Sequence, residues 1–277
     1  MGVKQKALEH STPLILTDQN MNDMQHYCLA GMELVIYSRR SPDKDTSNED
    51  ALALLPFEHD GFVAMIADGA GGQRGGKQAS QAVVNYLNES LKGCSSENLR
   101  NAILDGIERA NKEIQALGLG AASTLALLEF HLNLVRPYHI GDSEILIIGQ
   151  KGKIKLHTLS HSPSSYAVEA GVIESHEAML HEERHLVSNL LGYDDMRIEL
   201  GPPLKLQRFD TVLLASDGLF DNLSLQEIIE ISRKGPLRKA MLNLTSLSLE
   251  RMHKDTDTST PNKPDDISII LMRRNGP

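Results

Sequence analysis

Five acidic clusters punctuate the sequence: Asn48-Glu49-Asp50, Asp68-Gly69, Gly141-Asp142-Ser143, Ser216-Asp217-Gly218 and Asp265-Asp266. Three of them abut strongly apolar runs at residues 62–67, 212–215 and 267–271. A carboxylate at the end of a buried strand is partly desolvated, and its charge is costly unless something neutralises it. Several such groups brought together repel one another by kilocalories. Divalent cations relieve that repulsion, and hard Mg²⁺ or Mn²⁺ takes oxygen ligands. A lone Asp-Gly is ordinarily a turn, but clusters recurring at strand ends point to a shared metal centre. Two oxygen-bound ions held close together supply a nucleophile at neutral pH and clamp a phosphoryl group. The residues therefore point to metal-assisted hydrolysis of a phosphate ester, and leave monoesterase, diesterase and nuclease open.

Two other motifs compete for attention. His181-Glu182-Glu183-Arg184-His185 fits HExxH, in which two histidines on one helical face hold zinc. Its surroundings are short, highly charged and not amphipathic, and no third ligand follows, so a flap helix near a cleft is the better reading. Gly71 to Lys77 fits G-x-x-x-x-G-K after an apolar run. Gln78 stands where a hydroxyl should meet Mg²⁺, and Asp68 would oppose a phosphate. Lys77 is therefore expected to open a helix as a solvated side chain. His139, on an apolar run, is expected to be a satisfied core histidine, and His161 opens a histidine-rich segment that reads as surface.

The acidic clusters need a scaffold that gathers their strands at one end. Apolar runs mark strands over 33–37, 62–67, 124–130, 132–139, 144–149, 210–215 and 267–272. Helical spacing marks 76–91 and 99–117, and 224–233 and 237–249 also read as helices. Helices in consecutive pairs between antiparallel strands favour an α+β layered sandwich over a doubly wound parallel sheet. Neither a repeat nor a linker divides the chain, so residues 1–277 are expected to form one domain. Within it, 1–30 read as an N-terminal extension with an edge strand at Leu14-Ile15-Leu16, and 160–200 as a surface flap with short helices.

Composition narrows the function classes. With 277 residues, 40% hydrophobic and 23% charged, the chain can bury a sizeable core. A net charge of −9 offers no basic stripe for nucleic acid. No apolar run reaches the roughly 18 residues of a membrane span, and residues 1–12 contain no signal-peptide core. Cys28 and Cys94 form no metal-type pair, so inert thiols in a reducing cytoplasm are expected.

Taken in order, the strings Asn48-Glu49-Asp50-Ala51, Ala67-Asp68-Gly69-Ala70-Gly71-Gly72, Ala122-Ser123-Thr124-Leu125, His139-Ile140-Gly141-Asp142-Ser143, Leu214-Ala215-Ser216-Asp217-Gly218-Leu219-Phe220-Asp221-Asn222 and Asp265-Asp266-Ile267-Ser268 resemble the PP2C (PPM) family of metal-dependent protein serine/threonine phosphatases, in its bacterial style. The resemblance implies a β-sandwich of two antiparallel sheets flanked by helices, in α-β-β-α layers. It implies Mn²⁺ or Mg²⁺, two or three ions per chain, and a metal-bridging hydroxide as the attacking group. Asp68 matches the carboxylate shared by two ions, with Glu49 and the Gly69 carbonyl as ligands of the second. Asp217 and Asp265, rather than Asp266, match ligands of the first, Asp50 would act through bound water, and Asp142 resembles a ligand of a weaker third ion. The substrate would be phosphoserine or phosphothreonine on a protein that a serine/threonine kinase modifies. The alternatives are a regulatory binding module on the same fold, or a phosphatase of a small-molecule or anti-sigma-type substrate.

Three positions depart from the family pattern. The family's phosphate-binding arginine aligns with Asp45, so Arg39 or Arg40 is expected to supply the guanidinium, with Lys44 nearer in sequence. Ala70 stands where eukaryotic members carry a histidine thought to be the general acid. Glu144 replaces the usual arginine after Gly-Asp-Ser.

Overall fold

Strings such as Phe62-Val63-Ala64-Met65-Ile66-Ala67 have no polar face, and every one of these residues is buried. The computed structural model, which describes residues 6–7, 12–70, 72–118, 120–181, 183–253 and 261–274, shows why: most strands are covered on both sides. Leu14–Thr17 (β1), Gln25–Leu29 (β2), Met32–Arg39 (β3), Ala51–Phe57 (β4) and Gly61–Ala67 (β5) precede two long helices, Gly72–Leu91 (α1) and Leu99–Leu117 (α2). Leu125–His131 (β6), Leu134–Ile140 (β7), Glu144–Ile148 (β8) and Ile154–His157 (β9) lead to the short helices Pro163–Glu169 (α3) and Ser175–Leu180 (α4). Thr211–Ala215 (β10) is followed by Asp217–Phe220 (α5), Leu225–Ser232 (α6), Leu237–Met252 (α7) and Ile267–Arg274 (β11).

The main strands of one sheet run β2-β3-β11-β10-β8-β9 and those of the other β7-β6-β5-β4-β1, and each of these pairings is antiparallel. Short two-residue strands add to the edges, Lys6–Ala7 on β2 and Glu199–Leu200 and Leu204–Lys205 on β7. Alternate residues sort the layers, as a period of two requires. Leu52 and Leu54 of β4 meet Leu34, Ile36, Leu214 and Ile270 between the sheets. Ala53 and Leu55 turn the other way, against Val83 and Leu87 of α1 and Ile103 and Ile107 of α2. On the opposite outer face, Val35, Leu213 and Leu271 pack with Ile228 of α6 and Met241 and Leu244 of α7. The protein is thus an α+β sandwich in α-β-β-α layers. No helix among the described residues is long and apolar enough to cross a membrane.

Sequence and structure differ in places that have local causes. The strand expected over 132–139 forms at Leu134–Ile140, because Leu132 and Asn133 take φ of 51° and 80° and make the turn. Strand β4 was not anticipated, since Pro56 weakens its strand pattern. Pro56 lies beyond Leu54, the last β4 residue paired with β1, so its missing N–H breaks no ladder on that side. The segment 1–30 contributes β1 to one sheet and β2 to the other.

Candidate active site

Antiparallel register decides which acidic clusters meet. Ala51 pairs with Ala67, so Asp50 and Asp68, one residue beyond each, leave the same end of their hairpin. In the facing sheet Ala215 pairs with Glu144 and with Ile269, which brings Asp217, Asp142 and Asp265 to one end. Side-chain bonds then tie the two ends together. Asp68 N donates to Thr124 Oγ1 at 2.9 Å, and that hydroxyl bonds Ser143 Oγ at 2.6 Å in the facing sheet's turn. Ser216 Oγ donates to Asp50 Oδ2 at 2.9 Å while accepting from Ser268 N at 3.0 Å. The small residues beside each aspartate are therefore the fasteners of the site.

Two glycines let α1 come down onto this loop. A Cβ on Gly69 would lie 2.1 Å from the carbonyl oxygen of Gly76, and one on Gly76 would lie 2.6 Å from Glu49 Oε1. Both clashes fall on backbone or on a site carboxylate, so no larger residue fits at either position.

The result is a cleft of about 250 Å³ whose lining includes Glu49, Asp68, Gly69, Asp142, Asp217 and Asp265. Glu49 Oε1, Asp50 Oδ1 and Asp217 Oδ1 are buried with no hydrogen-bond partner among the described residues. Burial first, and then the charges of neighbouring carboxylates, hold Asp50, Asp68 and Asp142 well above the usual range. Burial and Asp217 push Asp265 to about 7 and Asp221 to about 6, against the opposing pull of Lys263. Orphaned buried oxygens and mutual repulsion are the signature of a site short of positive charge. An all-oxygen donor set of this kind fits a hard divalent cation.

The structure brings most of the anticipated residues together and separates a few. Asp50 is buried behind the cleft rather than lining it, bonded to Ser216. Asp266, beside Asp265, has its carboxylate occupied: Oδ1 accepts from Ser41 N at 2.8 Å, and Oδ2 from Glu49 N at 2.7 Å and Lys44 Nζ at 2.8 Å. Neither Arg39 nor Arg40 lines the cleft. Arg39 ends β3 opposite Ile267, and Arg40 donates to the carbonyls of Asp45 and Thr46. The cations in the lining are instead Lys44, 2.6 Å from Glu49 Oε2, and Lys263, which touches Asp217, Asp221 and Asp265. Asp221 stands in the 214–222 string with no role implied for it there, and Lys263 had no signal in the sequence as a site residue. A lysine in a polar loop reads as solvated until its neighbours are known.

The flap helix expected at 181–185 stops short of it, since α4 ends at Leu180 and His181 has extended backbone, so His181 and His185 share no helical face; His185 lines the cleft, as a segment near it should, and Glu182 lies outside the described residues. His139 is buried as expected, but neither ring nitrogen has a hydrogen-bond partner among the described residues. His161 is buried rather than superficial. His139, His161 and Glu199 bring potential ligand atoms within 4.8 Å of one another. Yet His161 Nδ1 accepts from Gly141 N at 3.0 Å and from Asn189 Nδ2 at 2.9 Å. Its proton therefore sits on Nε2, which donates to Glu199 Oε2 at 2.9 Å and has no lone pair left for a metal. Lys77 lies in the second turn of α1 rather than opening it, and is partly exposed, with its Nζ paired to Asp18 at 2.6 Å.

Comparison with known proteins agrees with this geometry. Residues 39–237 match the Protein phosphatase 2C family. The chain is 29% identical over 197 residues to the protein phosphatase PhpP of Streptococcus pneumoniae, covering 68% of this chain and 79% of that one. It is 25% identical over 241 residues to the serine/threonine phosphatase stp of Listeria welshimeri, covering 82% and 90%. Among solved structures, the S. agalactiae serine/threonine phosphatase superposes with a TM-score of 0.75 at 24% identity, over 88% of this chain and all of that one. The Mycobacterium tuberculosis phosphatase PstP/Ppp does so at 0.73 and 24%, over 88% and 99%, and these two establish the shared fold. With the family match spanning well over half of its residues, the chain belongs to the protein phosphatase 2C family.

Proposed function

We propose that Asp68, Glu49 and the Gly69 carbonyl hold one divalent ion of the centre, with Asp217, Asp265 and again Asp68 holding another. The chain is a metal-dependent protein serine/threonine phosphatase, hydrolysing phosphoserine and phosphothreonine esters. The observation that carries the residue assignment is the set of buried carboxylate oxygens without partners at one end of the sandwich. The ions are Mn²⁺ or Mg²⁺, two or three per chain, and when bound they activate a water and offset charge on the phosphoryl oxygens. The protein's share is positional. Thr124, Ser143 and Ser216 hold the carboxylate loops, and α1 closes the back of the site through Gly76.

Lys44 is the cation we assign to the phosphate, in place of Arg39 or Arg40. Its ammonium pairs with both Glu49 and Asp266, so that Asp266 would remain as its counter-charge if Glu49 held an ion, leaving the ammonium to an anionic ester. His185, an exposed imidazole in the cleft lining, is the side chain we assign to the departing oxygen as proton donor. A neighbouring cavity of about 290 Å³ shares Asp142 and Asp217 with the cleft and is roofed by α3 and α4. It offers room for the chain flanking the phosphorylated residue. We place the protein in the cytoplasm, a reducing compartment that its low cysteine content of two residues fits, where it would oppose a serine/threonine kinase.

The test is hydrolysis of a phosphothreonine peptide with and without Mn²⁺. Wild type is expected to turn over only with the metal, and Asp217→Ala to lose more than about a hundredfold while keeping its circular dichroism spectrum. Equal turnover after exhaustive chelation would overturn the assignment.

A further inference from the structure

Lys263 sits where a cation would. Its Nζ bonds Asp217 Oδ2 and lies 2.8 Å from Asp221 Oδ2 and 3.2 Å from Asp265 Oδ2, with only 19% of the side chain exposed. The backbone that carries it is anchored separately. Lys263 N donates to Asn222 Oδ1 at 2.9 Å, and its carbonyl accepts from Asn222 Nδ2 at 2.9 Å. The position of the ammonium is thus built from two directions, by the loop and by three carboxylates.

The two oxygens of Asp217 are in different states. Oδ1 is buried without a partner among the described residues, while Oδ2 is occupied by Lys263. One oxygen is open to an ion of the centre and the other already has its positive charge. Asp142 lies close enough for Asp217, Asp221 and Lys263 all to act on it. A further divalent ion on this side would need Asp217 Oδ2 or Asp221 Oδ2, and would sit within a few ångströms of an ammonium. Repulsion of that kind amounts to kilocalories even with substantial screening.

We propose that the Lys263 ammonium is a built-in counter-ion that replaces a third divalent ion at the Asp142, Asp217 and Asp221 side of the centre, so that this chain holds two ions. The proposal rests on the ligand assignment made above. It deepens that reading by fixing the number of ions from a residue of this sequence, and it predicts that removing one positive charge creates a metal site.

The experiment counts Mn²⁺ ions bound per full-length chain by equilibrium dialysis and calorimetric titration. Wild type and Lys263→Arg should bind two. Lys263→Met and Lys263→Gln keep the Asn222 contacts of the backbone and should bind three, and Lys263→Met combined with Asp221→Asn should return to two. Three ions in the wild type, or two in both neutral variants with native circular dichroism, would overturn the proposal while leaving the ligand assignment standing. If the wild type binds none, or Asp68→Asn retains both ions, the ligand assignment itself falls and the proposal with it.

Discussion

Asp265 and Asp266 are neighbours in sequence with different work to do. Asp266 is buried and its oxygens accept from two backbone amides and from Lys44. Removing it strands those donors, so Asp266→Ala should lower stability by about 2–4 kcal/mol in urea denaturation. Asp265 faces the cleft and carries a charge its neighbours resist. Asp265→Asn should therefore leave metal-free stability equal or higher while weakening Mn²⁺ binding at least about tenfold, as calorimetry will read. Lys44→Met should raise KM for a phosphopeptide by about tenfold to a hundredfold, the worth of a charge-assisted hydrogen bond, with Arg40→Met changing it far less. The acidic clusters were legible in the sequence because they recur at strand ends, three of them directly against an apolar run. The lysines were not, because what makes Lys263 part of the site is contact with residues some forty positions away, and no local pattern records it.

At the scale of elements, the site depends on how closely α1 approaches β5. Gly69 and Gly76 meet backbone to backbone, which only residues without a Cβ allow. Gly76→Ala is expected to cost about 1–3 kcal/mol and to depress activity well beyond that loss, because the displaced atoms include Glu49 Oε1. Thermal denaturation beside a kcat measurement separates the two effects. Helix periodicity and apolar runs made α1, α2, α6, α7 and most long strands readable. Strand β4 was hidden by Pro56, and the first turn of α1 by the glycines that permit its approach. The convergence of the clusters was beyond local patterns, since it follows from cross-strand register such as Ala51 opposite Ala67.

For the molecule as a whole, the concentrated negative charge sets the pH response. Asp50, Asp68, Asp142, Asp221 and Asp265 all have folded pKa values raised by burial and by one another, with Asp221 at about 6 and Asp265 at about 7. A raised folded pKa contributes stability that is complete below the unfolded value of about 3.9 and is lost as pH rises through the folded one. His161, whose pKa burial lowers, acts the other way, losing stability below about 6.5. Five carboxylates against one imidazole decide the sign. Chelated protein should have a higher urea midpoint at pH 5.5 than at pH 7.5, and saturating Mn²⁺ should reverse the order. A chelated midpoint that rises towards pH 7.5 would contradict the crowding of charge described for the cleft.

Strand β11 lies between β3 and β10, so the middle of one sheet is supplied by a segment synthesised after every other described strand. On the ribosome, β3 and β10 have no bridge between them until residues 267–274 leave the exit tunnel, and Asp265 arrives with the same segment. The nascent chain can assemble β4, β5, β6 and the α1–α2 pair early, because their contacts are closer in sequence. A translation product arrested before β11 would carry most of the acidic clusters yet have neither a closed sheet nor a complete site. Truncated products are therefore expected to be catalytically silent and open to proteolysis, which keeps unfinished copies from stripping phosphates in the cell.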